Sequence, residues 1–118
     1  MRRNKYNAIP TVIDGIRFAS KAEANYCAQL KILQRAGEIK YFLMQVPFYL
    51  PGGIKYVVDF VVFHNDGTVD YVDVKGVETK EFKLKKKLVE EFYPVKIMVV
   101  KKGKFTVWRY GVSDELKR

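Results

Sequence analysis

One cysteine, one histidine and a shortage of acids are the first features of this 118-residue chain. Cys27 has no second thiol to pair with, so neither a disulfide framework nor a cysteine-based metal site is available, and it reads as a small core residue. His64 falls in the turn-like stretch "HNDG", where it is expected at the surface rather than as a general base. No run of about 18 apolar residues occurs, and the basic start "MRRNKYNAIPTVIDG" has no apolar stretch behind it. The expectation is a cytoplasmic protein without a membrane partner. No internal repeat, low-complexity segment, helix-turn-helix or zinc finger is visible, which excludes the common modules that read long specific base sequences.

Against 13 Asp and Glu stand 22 Lys and Arg, a formal charge of +9. Neither folding nor solubility requires that excess in so small a chain. A polyanionic partner explains it, nucleic acid ahead of a membrane surface; the alternative is a thermophile-style charged surface, although such surfaces usually balance Lys with Glu. A hydrophobic content of 48% is enough for one core. Residues 1–8 read as a flexible basic arm and 9–118 as a single domain.

The pattern along the chain predicts both strands and helices. "IPTVIDGIRFAS" alternates around Asp14-Gly15, a hairpin signal. A helix follows from Ser20 to about Ala36, with Gly37 as its stop. "YFLMQVPFYL" reads as a strand that Pro47 holds near an edge or bends, and "PGG" as a turn. "IKYVVDFVVF" and "TVDYVDVK" are strands joined through "HNDG", taken as a two-residue turn at Asp66-Gly67. "TKEFKLKKKLVEEFY" is helical, with Phe82, Val89, Phe92 and Tyr93 on its apolar side, and "VKIMVV" and "KFTVWRY" close the chain as strands. The helix between "TVDYVDVK" and "VKIMVV" makes a parallel crossover, so the expected fold is α/β, a mixed sheet covered by two helices.

Chemistry concentrates on two strands. Side chains alternate with period two, which places Asp59 on one face with Lys55, Val57, Val61 and Phe63, and places Asp73 and Lys75 together on one face of the next strand. An ionised carboxylate amid such apolar neighbours costs several kcal/mol unless paired. Counted from the turn, Asp59 lies seven residues before it and Asp73 six after, so a slip of about one residue brings them near opposition. A divalent cation between them removes their repulsion, and hard oxygen ligands select Mg²⁺ or Mn²⁺. Lys75 then stands beside that ion. Glu23 falls within or at the edge of the helix's apolar stripe, but Ser20 and Glu23 also match the capping box, in which the glutamate only reaches back to the Ser20 N–H.

Asp59, then Asp73-Val74-Lys75, with Glu23 on a helix ahead of them, resembles the PD-(D/E)XK nuclease superfamily. The run from "KYNAIPTVIDG" through "YVVDFVVF", "DVKG" and "TKEFKLKKKL" is similar to small phage-encoded proteins of that restriction-endonuclease-like fold, akin to phage endonuclease I, over nearly the whole domain. The resemblance implies that Asp59 and Asp73 bind metal, that Lys75 positions or activates the attacking water, and that Glu23 supplies a further acid. Gln45 in "LMQVPF" matches the pattern without a defined role. Val58 stands where the motif's proline is, and the second acid is Asp rather than Glu. The expected function is a Mg²⁺-dependent DNA endonuclease, most of all a resolvase of branched DNA or Holliday junctions; a phage nicking or weakly selective nuclease is second. A non-catalytic DNA-binding accessory protein, or a buried ion-pair network, are the alternatives. A resolvase cuts two strands symmetrically, which calls for a homodimer. Phosphate contacts are expected from Lys80, Lys83, Lys86 and Lys87 on the second helix and from Arg2, Arg3 and Lys5 on the arm. A phage origin would place the protein in the host cytoplasm.

Overall fold

The computed structural model describes residues 11–13 and 16–101. The predicted arm over 1–8 and the predicted strand in "KFTVWRY" lie outside the described residues.

Strands β1 (Thr11–Ile13) and β2 (Ile16–Phe18) form an antiparallel ribbon in which Ile13 pairs with Ile16, bracketing the dipeptide expected to turn. Helix α1 (Lys21–Arg35) begins where expected because the Ser20 hydroxyl accepts the Glu23 backbone N–H at 3.1 Å. It ends in a Schellman motif: the Glu38 N–H reaches the Leu33 carbonyl at 2.8 Å, the Gly37 N–H reaches Gln34, and Gly37 takes a φ of +80° that a side chain would disfavour.

The main sheet follows. Strand β3 (Tyr41–Leu50) turns through Pro51–Gly53 into β4 (Ile54–Phe63), which pairs with β5 (Val69–Lys75). Helix α2 (Lys80–Phe92), capped by Thr79, crosses to β6 (Ile97–Lys101). The described strands run β3-β4-β5-β6, antiparallel except for the parallel β5-β6 pair, so this is an α/β fold with a mixed sheet. Val72, Val74, Met98 and Val100 pack with the α1 residues Tyr26, Cys27 and Leu30, whereas Tyr71, Ile97 and Val99 pack with Phe82 and Val89 of α2. The two helices therefore cover opposite faces of one sheet. No helix among the described residues is long and apolar enough to cross a membrane.

Three expectations need correction. His64 is buried, not superficial, with its Nε2 2.7 Å from Asp70 Oδ2; two polar side chains at the closed end of the hairpin satisfy each other. Phe92 is 56% exposed, while Phe82 and Val89 carry the buried face of α2. The β4-β5 loop is also longer than two residues. The His64 N–H bonds to Thr68, the Gly67 N–H returns to His64, and Asp66 Oδ1 accepts both the N–H and the hydroxyl of Thr68. The ladder is symmetric about Asp66, with Phe63 opposite Val69 and Phe60 opposite Val72. Continued inward, that register sets Asp59 level with Asp73 with no slip.

Candidate active site

The regular sheet stops at the acids. The β4-β5 ladder ends at Phe60 and Val72, and the next level is held by side chains: the Asp59 N–H donates to Asp73 Oδ1 at 2.8 Å, and the Val74 N–H donates to Asp59 Oδ2 at 2.9 Å. Each carboxylate takes the place of a backbone carbonyl and holds the neighbouring strand a side chain's width away. On the other side, Met44 pairs with Phe60 and Val46 with Val58, while Gln45 and Asp59, level with each other, make no ladder pair. Gln45 has a φ of +53°, a left-handed conformation that costs a non-glycine residue roughly 1–2 kcal/mol.

This paired irregularity breaks the period-two rule. Phe42 and Met44 face the α1 side while Val46 and Phe48 face the α2 side; likewise Phe60 and Val62 face α1, but Tyr56, Val58 and Val61 face α2. Both strands switch faces at one level, so the register on either side is preserved. The expected grouping of Asp59 with Val57 and Val61 on one continuous face is thus corrected: Asp59 sits at the switch, turned between strands.

Around that switch the four predicted groups come together. Asp73 is 1% exposed, and its Oδ2 has no hydrogen-bond partner among the described residues. Burial pushes its pKa up to about 6, opposed by the Asp59 N–H and by Lys75. Asp59 is also raised, again by burial, with the Val74 N–H, Lys75 and Gln45 pulling the other way. Glu23 rises to about 7, through burial first and the charge of Asp59 second, against an Ala19 backbone hydrogen bond and Lys75. Its Oε2 accepts from Gln45 Nε2 at 2.6 Å. Ser20 supplies its half of the capping box, but the Glu23 carboxylate looks to Gln45 and Ala19 instead. The Lys75 ammonium lies 4.6 Å from the centroid of the Phe82 ring.

A hollow of about 330 Å³ opens over these groups, lined by Ser20, Glu23, Asp59, Lys75, Thr79 and Phe82 among others. Asp73 is not on its wall; it is joined to it through the Asp59 N–H. The site is thus assembled from the start of α1, the broken middle of β3 and β4, the end of β5 and the start of α2.

Residues 3–107 match the family model described as Protein of unknown function (DUF1064). The chain belongs to that family. No curated protein matches it.

The basic residues of this DUF1064 chain separate into groups. Lys80, Lys83 and Lys87 are exposed, and their spacing puts them on one side of α2. Lys86 is tied to Glu90 at 3.2 Å, and Glu90 also accepts the Ile97 N–H, so that lysine belongs to the join between α2 and β6. Arg2, Arg3 and Lys5 lie outside the described residues. Gln45 is the residue whose part in the site sequence reasoning missed; its place beside Pro47 in a predicted edge strand was the available signal.

No three acidic, His or Cys side chains among the described residues are grouped as a ready metal cage. Mg²⁺ does not need one, since it is commonly held by one or two carboxylates, with waters and substrate oxygens completing its shell. Asp59 and Asp73 fit that pattern: all donors are hard oxygens, and the buried Asp73 Oδ2 lacks any other partner among the described residues.

Proposed function

We propose that this protein is a metal-dependent nuclease that hydrolyses phosphodiester bonds in DNA, on a PD-(D/E)XK-type arrangement. The observation that carries the proposal is the break in the sheet, where two opposed carboxylates, Asp73 buried and Asp59 half-buried on the wall of the hollow, hold each other's strands apart, with one Asp73 oxygen unpaired among the described residues and an ammonium alongside. A structural ion-pair network would match that oxygen with the lysine. Here no ion pair joins Lys75 to Asp73.

Asp59 and Asp73 would hold the ion. When bound, Mg²⁺ supplies polarisation of a phosphoryl oxygen and water of lowered pKa. The side chains do the rest. Lys75 neutralises charge that gathers on the phosphate, Glu23 offers a carboxyl group able to take or give a proton near neutral pH, and Gln45 fixes its direction. The exposed face of α2 and the charge of +9 favour a polyanionic substrate held by its backbone, hence structure-selective or weakly selective cutting. A branched-DNA or Holliday-junction resolvase is the preferred form, which calls for a homodimer.

The test is incubation of the purified protein with labelled four-way junction, duplex and single-stranded DNA, in Mg²⁺ or in EDTA. Cleavage in Mg²⁺ alone is expected, lost in Asp73→Asn while DNA binding is kept. Cleavage that survives Asp73→Asn, or none on any of the three substrates, ends the nuclease proposal. A protein that sediments as a monomer with and without the junction ends the resolvase form of it.

A further inference from the structure

A second, smaller hollow of about 210 Å³ adjoins the first and shares Lys75, Thr79 and Phe82 with it. Its remaining wall is mostly polar: Lys55 from the start of β4, Lys85 and Glu81 from α2, and Tyr56, with Val57 the one aliphatic side chain. Glu81 is the one acid on it, and Lys85 engages that carboxylate at 3.1 Å. Three ammonium groups thus face one already-paired carboxylate, a net positive balance in a concave space. Tyr56 is 5% exposed, and its hydroxyl has no hydrogen-bond partner among the described residues. A buried hydroxyl left unpaired is unfavourable, and a hydrogen-bond acceptor bound beside Tyr56 would relieve it. The hollow also borders the N-terminal end of α2, where the helix dipole favours negative charge. Its partition is Lys75 itself, resting on the Phe82 ring, so one ammonium serves both spaces.

We propose that this second hollow is a phosphate subsite for the nucleotide next to the one that is cut. The nucleic-acid backbone then runs from the acid pair, past Lys75, towards Lys55 and Lys85. The proposal rests on the nuclease reading above and adds to it the direction in which the strand leaves the acids and the residues that hold it there.

Two measurements on the full chain test it. In EDTA, binding of a labelled duplex is followed as salt is raised. Lys55→Gln should shallow the slope of log affinity against log salt by about 0.9, the loss of one phosphate contact, and Lys85→Gln should shallow it by less, because Lys85 must first exchange the exposed Glu81 carboxylate for the phosphate. Lys40→Gln, which removes the same charge beyond the opposite end of β3, should not change it. In Mg²⁺, a substrate with one neutral methylphosphonate beside the cleaved bond should lower wild-type kcat/KM when the replacement lies on one flank only. In the Lys55→Gln, Lys85→Gln double variant that replacement should have no further effect. A wild type that cuts DNA while the double variant keeps its full salt slope overturns the subsite alone. A wild type that neither binds nor cuts DNA overturns the nuclease reading, and the subsite with it.

Discussion

Asp73 is the residue on which single substitutions should speak most clearly, because its carboxyl group is buried, half-bonded and raised to about pH 6. Its folded pKa exceeds the ordinary 3.8, as that of Glu23 at about 7 exceeds 4.5, so the folded state binds protons more tightly than the unfolded state. Stability from these groups is present in full below their ordinary values and is lost as pH rises through about 6 and about 7. At about 1.4 kcal/mol for each tenfold change in proton affinity, Asp73 accounts for roughly 3 kcal/mol. In EDTA, urea unfolding should therefore give a higher stability at pH 5 than at pH 8, with a flatter profile in Asp73→Asn. Added Mg²⁺ should raise the melting temperature at pH 8 more than at pH 5, where protons compete for the same oxygens, and should do nothing for Asp73→Asn. An equal Mg²⁺ response in the variant would mean that the ion sits elsewhere.

At the scale of elements, the paired switch in β3 and β4 trades regularity for a site. Gln45→Gly relieves the left-handed strain of about 1–2 kcal/mol but loses a hydrogen bond to a carboxylate and adds chain entropy, so its net effect on stability should stay within about 1 kcal/mol. Its effect on DNA cleavage should be severe, with a shifted pH–rate profile, because Glu23 loses its tether. Gln45→Val, β-branched at positive φ, should destabilise by about 2 kcal/mol or more in urea unfolding. A Gln45→Gly protein with an unaltered pH–rate profile would show that the amide has no part in the chemistry. The same element marks how far the sequence could be read. The limits of α1 were legible because Ser20 and Gly37 each have one strong local use, and the acids were legible because a charge within an apolar strand demands a partner. The switch was not, since period-two counting presumes an unbroken pleat and both strands depart from it together. His64 and the five-residue loop escaped for a related reason: "HNDG" satisfies a tight turn as well as a wider one until Asp66 is seen bonding to Thr68.

For the whole molecule, the charge of +9 matters by where it is free. Lys80, Lys83 and Lys87 stand clear on α2, and replacing all three by Gln should shallow the salt dependence of DNA binding by about 2.7. Lys86→Gln should leave that slope nearly unchanged and instead lower stability by about 0.2–0.5 kcal/mol, the value of a helical ion pair. Equal slopes for the triple variant and the wild type would remove α2 from the binding face. Fold class and element order were readable along the chain, whereas the division of the lysines into free and tied was not, because it depends on which side chain meets Glu90 across a turn of α2. The acids that stitch β4 to β5 carry a wider implication. Ground that serves as a seam cannot be vacated cheaply: a descendant that lost these acids would still have to supply acceptors for two orphaned main-chain amides, by amide side chains or by re-knitting the strands. Alanine at either position should therefore unsettle the architecture before it reports on reactivity, and asparagine is the substitution that separates the two.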